Sequence, residues 1–168
     1  GTEYFFNEDL TATGYPQIAN LDDDPEPEIL VTTYKGIWIL EHDGTTKLGP
    51  VTPTGDPPTG TNWERPAVIH DFDGDGIAEF ATSSAANYST FEPDTSVIWS
   101  SPVQELSGIA SGTAFDFLGD GGAEAMYADE LNMYIFGSEG EVLLEIPRSS
   151  TTLTEYPIVA DIDNDGSA

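Results

Sequence analysis

The sequence predicts an all-β fold: β-propeller blades of four antiparallel strands, about three and a half blades of a larger or oligomer-completed ring. Three observations predict it. A short apolar run followed by an acidic loop recurs four times: YPQIANLDDDPEPEIL from Tyr15, RPAVIHDFDGDGIAEF from Arg65, SGTAFDFLGDGGAEAM from Ser111 and YPIVADIDNDGSA from Tyr156. The first loop positions, Asn20, Asp71, Asp116 and Asp161, lie 51, 45 and 45 residues apart, a spacing that suits one propeller blade per repeat. Between the loops run short apolar segments bounded by turn residues, with no amphipathic helix of useful length.

Each repeat divides into four strands. The first leads into the acidic loop: Gln17–Ala19, Ala67–His70, Thr113–Phe115 and Ile158–Ala160. The second leaves it, as EILVTTY from Glu28, EFATSSA from Glu79 and EAMYADE from Glu124. These runs are nearly continuous in apolar or small residues, which predicts burial on both faces. The third is GIWILEH from Gly36, YSTFEP from Tyr88 and NMYIFG from Asn132, each followed by a turn at Asp43-Gly44, Pro93-Asp94 or Glu139-Gly140. The fourth is TKLGPV from Thr46, SVIWSS from Ser96 and EVLLEIP from Glu141. The repeats therefore run roughly over 15–50, 65–104 and 111–147, with a partial one at 156–168. An ordinary closed ring has about 4–8 blades, so a longer parent chain or self-association is expected to complete it. Two connections are long: the Pro-, Gly- and Thr-rich 52–64 and the polar 148–155. In an up-and-down blade the acidic loops share one rim. The long loop, with Trp63 and Arg65, is expected on the other rim beside Asn87, Tyr88 and Asn132.

The charge balance narrows the partners. Four basic residues face 31 acidic ones, a net charge of -27. Nucleic acids and anionic membranes both need positive charge, so neither is expected as a partner. No run approaches the roughly 20 apolar residues of a membrane span. With no cysteine, disulfides and thiolate metal sites are excluded.

The acidic loops carry the chemistry. Loop two offers Asp71, Asp73 and Asp75 at alternate positions, the Ile77 carbonyl next and Glu79 to close, with Gly76 free to take the positive φ that bends the backbone around an ion. Oxygen ligands in this pattern suit a hard cation such as Ca2+. Four carboxylates packed this closely repel one another unless a cation neutralises them, so metal binding and folding should be coupled. Loop four matches as far as it runs, with Asp161, Asp163, Asp165 and the Ser167 carbonyl. Loop one offers Asn20, Asp22, Asp24, Glu26 and Glu28, but Pro25 takes the glycine position and cannot adopt positive φ. Loop three offers Asp116, Asp120, Gly122 and Glu124, with Leu118 in place of one carboxylate, which should weaken it. An EF-hand would need a Glu at the twelfth position and flanking helices. That position is Thr82, inside a strand-like run.

These residues resemble the FG-GAP/VCBS repeats of integrin α-subunit-like propellers, whose pattern is an apolar strand, D-x-D-x-D-G-x-x-D/E, and a second apolar strand. DFDGDGIAE from Asp71 and DIDNDG from Asp161 match closely, while NLDDDPEPE from Asn20 and DFLGDGGAE from Asp116 depart as described. The resemblance covers nearly the whole chain. It implies a calcium-stabilised propeller, extracellular or at the cell surface, of a kind found in adhesion proteins, lectin-like modules and accessory domains of polysaccharide-active enzymes.

No Ser/His/Asp set follows from spacing, and the acids are accounted for by the metal loops, so no catalytic residue is expected. His42 and His70 are the only histidines; His70, directly before loop two, reads as a packed strand-end residue, and Trp38 and Trp99 as core. The expected function is a calcium-stabilised extracellular binding or adhesion module without catalytic activity. A fibre or spacer unit rigidified by calcium, and an accessory propeller of a polysaccharide-active enzyme, are the alternatives. A protein or glycan ligand is expected on the rim of Trp63, Arg65 and Tyr88.

Overall fold

The computed structural model describes residues 2–10, 15–33, 36–52, 65–105, 107, 109–148, 156–160 and 162–163. Among them are twelve strands and no helix. β1 (Pro16–Ala19), β2 (Glu28–Thr33), β3 (Gly36–Leu40) and β4 (Thr46–Val51) form the first sheet. β5 (Val68–His70), β6 (Glu79–Ser83), β7 (Asn87–Phe91) and β8 (Val97–Pro102) form the second. β9 (Thr113–Phe115), β10 (Glu124–Ala128), β11 (Asn132–Phe136) and β12 (Val142–Pro147) form the third. Every neighbouring pair is antiparallel and follows chain order, so each sheet is a simple meander. β1 lies beside β5 and β5 beside β9, which lines the short first strands up along one axis, as in blades of an unclosed propeller.

Strand alternation builds the packing between blades. Leu30, Ile37 and Ile39 of the first sheet meet Phe80 and Phe91 of the second, whose rings stack with centroids 5.2 Å apart. On the second sheet's other face, Ala81, Tyr88 and Trp99 meet Ala125, Tyr127, Tyr134 and Phe136 of the third. Tyr88 stacks on Tyr127 at 4.4 Å, close to the lower limit at which aromatic rings pack. The first sheet's remaining face, with Val31, Trp38 and Leu40, packs on Leu10. Asn7 of the same N-terminal segment holds it there, its amide donating to the Gly44 carbonyl at 2.8 Å and to Thr46 Oγ1 at 3.0 Å. Trp38 and Trp99 are core, as expected.

Three expectations need correction. Burial on both faces holds for β2 and β6 but not for β10, where Met126 and Ala128 are only half-buried; next to it Met133 and Ile135 of β11 are half-buried and β12 is exposed along its length. The reason is that no described sheet packs on that side. The expected strand at Ile158–Ala160 is not a strand. In each complete sheet the short first strand pairs with the strand after its acidic loop, and no such partner stands among the described residues for 158–160.

The third correction concerns the rim opposite the acidic loops. Arg65 and Tyr88 are 2% and 1% exposed, so neither side chain can present itself to a ligand. Tyr88 belongs to the aromatic stack between two sheets. Arg65 Nη2 donates to the Glu105 carbonyl at 2.8 Å, and the Arg65 carbonyl accepts from Thr32 Oγ1 at 2.7 Å and Thr82 Oγ1 at 3.2 Å. The residue thus ties the first and second sheets to the segment leading to the third. Tyr127 completes the cluster, its hydroxyl hydrogen-bonded to Ser83 Oγ at 2.9 Å and to Glu105 Oε2 at 3.4 Å. Trp63 lies outside the described residues.

Candidate metal centre

The acidic loops join β1 to β2, β5 to β6 and β9 to β10. Because the first strands lie side by side, the loops gather at one end. Each second strand begins with the closing glutamate: Glu28, Glu79 and Glu124 are the first residues of β2, β6 and β10. All three are at most 2% exposed. A strand start fixes the backbone on one side, and backbone hydrogen bonding fixes the side chain, with Glu124 Oε2 accepting from the Leu118 amide as well at 3.2 Å. The amides of Leu21, Phe72 and Phe117 donate to Glu28 Oε2, Glu79 Oε2 and Glu124 Oε2, each at 2.6 Å. The same lock therefore repeats in all three sheets. It turns each carboxylate back over the loop that precedes it.

Loop two is the most complete. Asp71, Asp73, Asp75 and Glu79 each bring an oxygen to within 4.8 Å of the others. The loop holds its shape through its own acids. Asp71 Oδ1 and Oδ2 accept from the amides of Gly74 at 2.7 Å and Gly76 at 2.9 Å, and Asp75 Oδ1 accepts from Ile77 at 2.8 Å. Gly76 has φ +91°, the left-handed conformation that favours glycine. The Ile77 side chain is exposed.

The electrostatics show what the site lacks. Glu79 Oε1 is buried and has no hydrogen-bond partner, a costly state for a carboxylate oxygen. Burial first, and then the charges of Asp73, Asp71 and Asp75, push the Glu79 carboxyl up to about 7, against the downward pull of the Phe72 amide. A divalent cation would satisfy the orphaned oxygen and offset the crowded charges together, so these residues fit a calcium ion.

Loop three brings oxygens of Asp116, Asp120 and Glu124 within 4.8 Å of one another. Asp116 accepts from the amides of Gly119 and Gly121 at 2.5 and 3.1 Å, repeating loop two, but Leu118 points its exposed side chain where Asp73 stands in that loop. Gly122 plays a packing part: a Cβ there would come within 3.1 Å of the Phe72 carbonyl. The adjacent Ala123 amide donates to the Asp71 carbonyl at 2.9 Å, so loops two and three share a backbone contact.

Loop one gathers Asp22, Asp24 and Glu28. Asn20 does not join them as a charged ligand: its Nδ2 donates to the Asp24 carbonyl at 2.5 Å and its Oδ1 accepts from the Asp22 amide at 3.1 Å. Glu26 is exposed and outside the cluster. A residue absent from the sequence pattern enters instead. Lys47 pairs with Asp22, with Glu41 Oε1 at 3.0 Å and with Glu28 Oε1 at 3.8 Å. Its hydrogen bond to Asp22 holds the ammonium well above the usual lysine range and holds the Asp22 carboxyl below its usual one. The scarcity of cations, four in the whole chain, was the only signal for it. In loop four, Asp161, Asp165 and Ser167 lie outside the described residues; Asp163 is exposed.

Residues 20–82 match the family model described as FG-GAP-like repeat. That span runs from loop one through loop two into β6. No curated protein matches the chain. Among solved structures, the chain is similar to the V. cholerae biofilm matrix protein Bap1, with a TM-score of 0.64 and 16% identity over 90% of this chain. The chain spans 52% of that structure's length. A protein of unknown function from Bacteroides caccae aligns with a TM-score of 0.44 and 16% identity, covering 77% of this chain and 44% of that one. Likeness at this identity speaks for the fold alone. Among the described residues no helix is long and apolar enough to cross a membrane.

Proposed function

We propose that this chain is a calcium-stabilised extracellular binding or adhesion module without catalytic activity. The observation that carries the calcium reading is loop two: four carboxylates converge, and the buried Glu79 has an oxygen with no partner. The FG-GAP-like match over residues 20–82 supports it, and a biofilm matrix protein of similar fold supports placement outside the cell. The ligand proposed is a protein or a glycan, or a further copy of the chain that extends the ring. Its contact surface excludes the buried Arg65 and Tyr88.

Calcium titration calorimetry of the chain and of Glu79→Gln tests the reading. The wild type should bind at least one ion, and the variant should lose affinity by about tenfold or more, roughly 1.4 kcal/mol, because a charged ligand is gone. Equal binding by both would sink the assignment of Glu79. A glycan array run with calcium present addresses the ligand; a blank array would direct the search to protein partners.

A further inference from the structure

We propose that the Lys47 ammonium is the built-in counter-ion of loop one, standing where a divalent ion is proposed in loop two. The inference rests on the calcium reading of loop two. It arises from a place where the residues do not fit the metal.

Loop one lacks what shapes its relatives. Pro25 occupies the position of Gly76 and has no N–H to donate to the first side chain of the loop. That first side chain is the neutral amide of Asn20, spent on hydrogen bonds inside the loop. Yet the buried Glu28 is placed as Glu79 is, with Oε2 bound by the Leu21 amide and Oε1 making no hydrogen bond. Some positive charge has to face it.

The fold supplies that charge through one bulge. In each sheet the third and fourth strands slip register at the same point, leaving one extra residue on the fourth. Between Thr46 and Leu48 that residue is Lys47; between Val97 and Trp99 it is Ile98; between Val142 and Leu144 it is Leu143. A bulge re-aims its side chain. Only the first sheet puts a cation there, and it reaches Asp22, Glu41 and Glu28 together. The ammonium donates to Asp22 and Glu41, and its charge, 3.8 Å from Glu28 Oε1, faces the carboxylate oxygen that has no hydrogen bond. The charged side chain and the altered loop occur in the same sheet, so each accounts for the other.

Calcium titration calorimetry on the whole chain tests this. The proposal expects Asp22→Asn to leave the number of bound ions unchanged, because loop one holds none. It expects Lys47→Met to leave the count unchanged too, because Pro25 and Asn20 still withhold the loop-two geometry, and to melt below the wild type in chelator. A changed count in either variant, or melting of Lys47→Met equal to the wild type, overturns it. If no variant binds calcium, the loop-two reading has failed, and the Lys47 assignment is judged by melting in chelator. There Lys47→Met should melt below the wild type, and adding Asp22→Asn should restore part of the loss; identical melting of Lys47→Met and wild type overturns the proposal.

Discussion

At the scale of single residues, Glu79 concentrates the physics of the site. It is fully buried, bound by one amide through one oxygen and unpartnered at the other. Without metal, folding favours its protonated form, since burial raises its carboxyl from the ordinary 4.5 to about 7. The sign of the linkage follows. A raised folded value gives stability that is complete below about 4.5 and lost as pH climbs through about 7. Glu92 is shifted upward as well, by burial first and then by Asp73, Asp75 and Asp94, and acts in the same direction. In chelator, the melting temperature should therefore fall between pH 5 and pH 8, and Glu79→Gln should flatten most of that fall. A wild-type melting temperature independent of pH over that window would contradict the account of Glu79. With calcium the sign reverses, because the ion displaces the proton and binds better as pH rises.

At the scale of elements, the two ends of the blades are held by different means. The end that carries the acidic loops is crowded with carboxylates. The opposite end is a hydrogen-bonded polar cluster around Arg65, Glu105 and Tyr127. Tyr127→Phe removes a hydroxyl bound to Ser83 and Glu105, which should cost about 1 kcal/mol, or roughly 2–4 °C in melting temperature for a chain of this size. Thermal melting should show the same loss in calcium and in chelator, since the cluster lies away from the loops; a loss seen in only one condition would mean that the ends are coupled. Elements were legible in the sequence where local chemistry decides them. The starts of β2, β6 and β10 fall on the glutamates that close each loop, because hydrogen-bonded loop geometry and strand alternation both change there. Contacts that depend on which blade neighbours which were not legible. Nothing local marks Arg65 as buried or places Lys47, one bulge residue in β4, over the acids of loop one. The cover that Leu10 gives to Trp38 is equally a matter of assembly.

At the scale of the whole molecule, three blades with a net charge of -27 fold against their own repulsion. The inter-blade cores of Phe80 and Phe91, and of Tyr88, Tyr127 and Phe136, supply the cohesion. The repulsion peaks where the three loops meet, and loops two and three touch through the Ala123 amide and the Asp71 carbonyl. An ion held in loop two therefore steadies the joint between two blades as well as one turn. Calcium should stabilise the fold as a whole. The direct measurement is thermal melting of the chain at pH 7 in millimolar calcium and in excess chelator. One site filled at about a hundred times its dissociation constant adds roughly 2.7 kcal/mol, which predicts a rise of about 5–11 °C in calcium. Melting curves that superimpose in the two conditions would contradict the account.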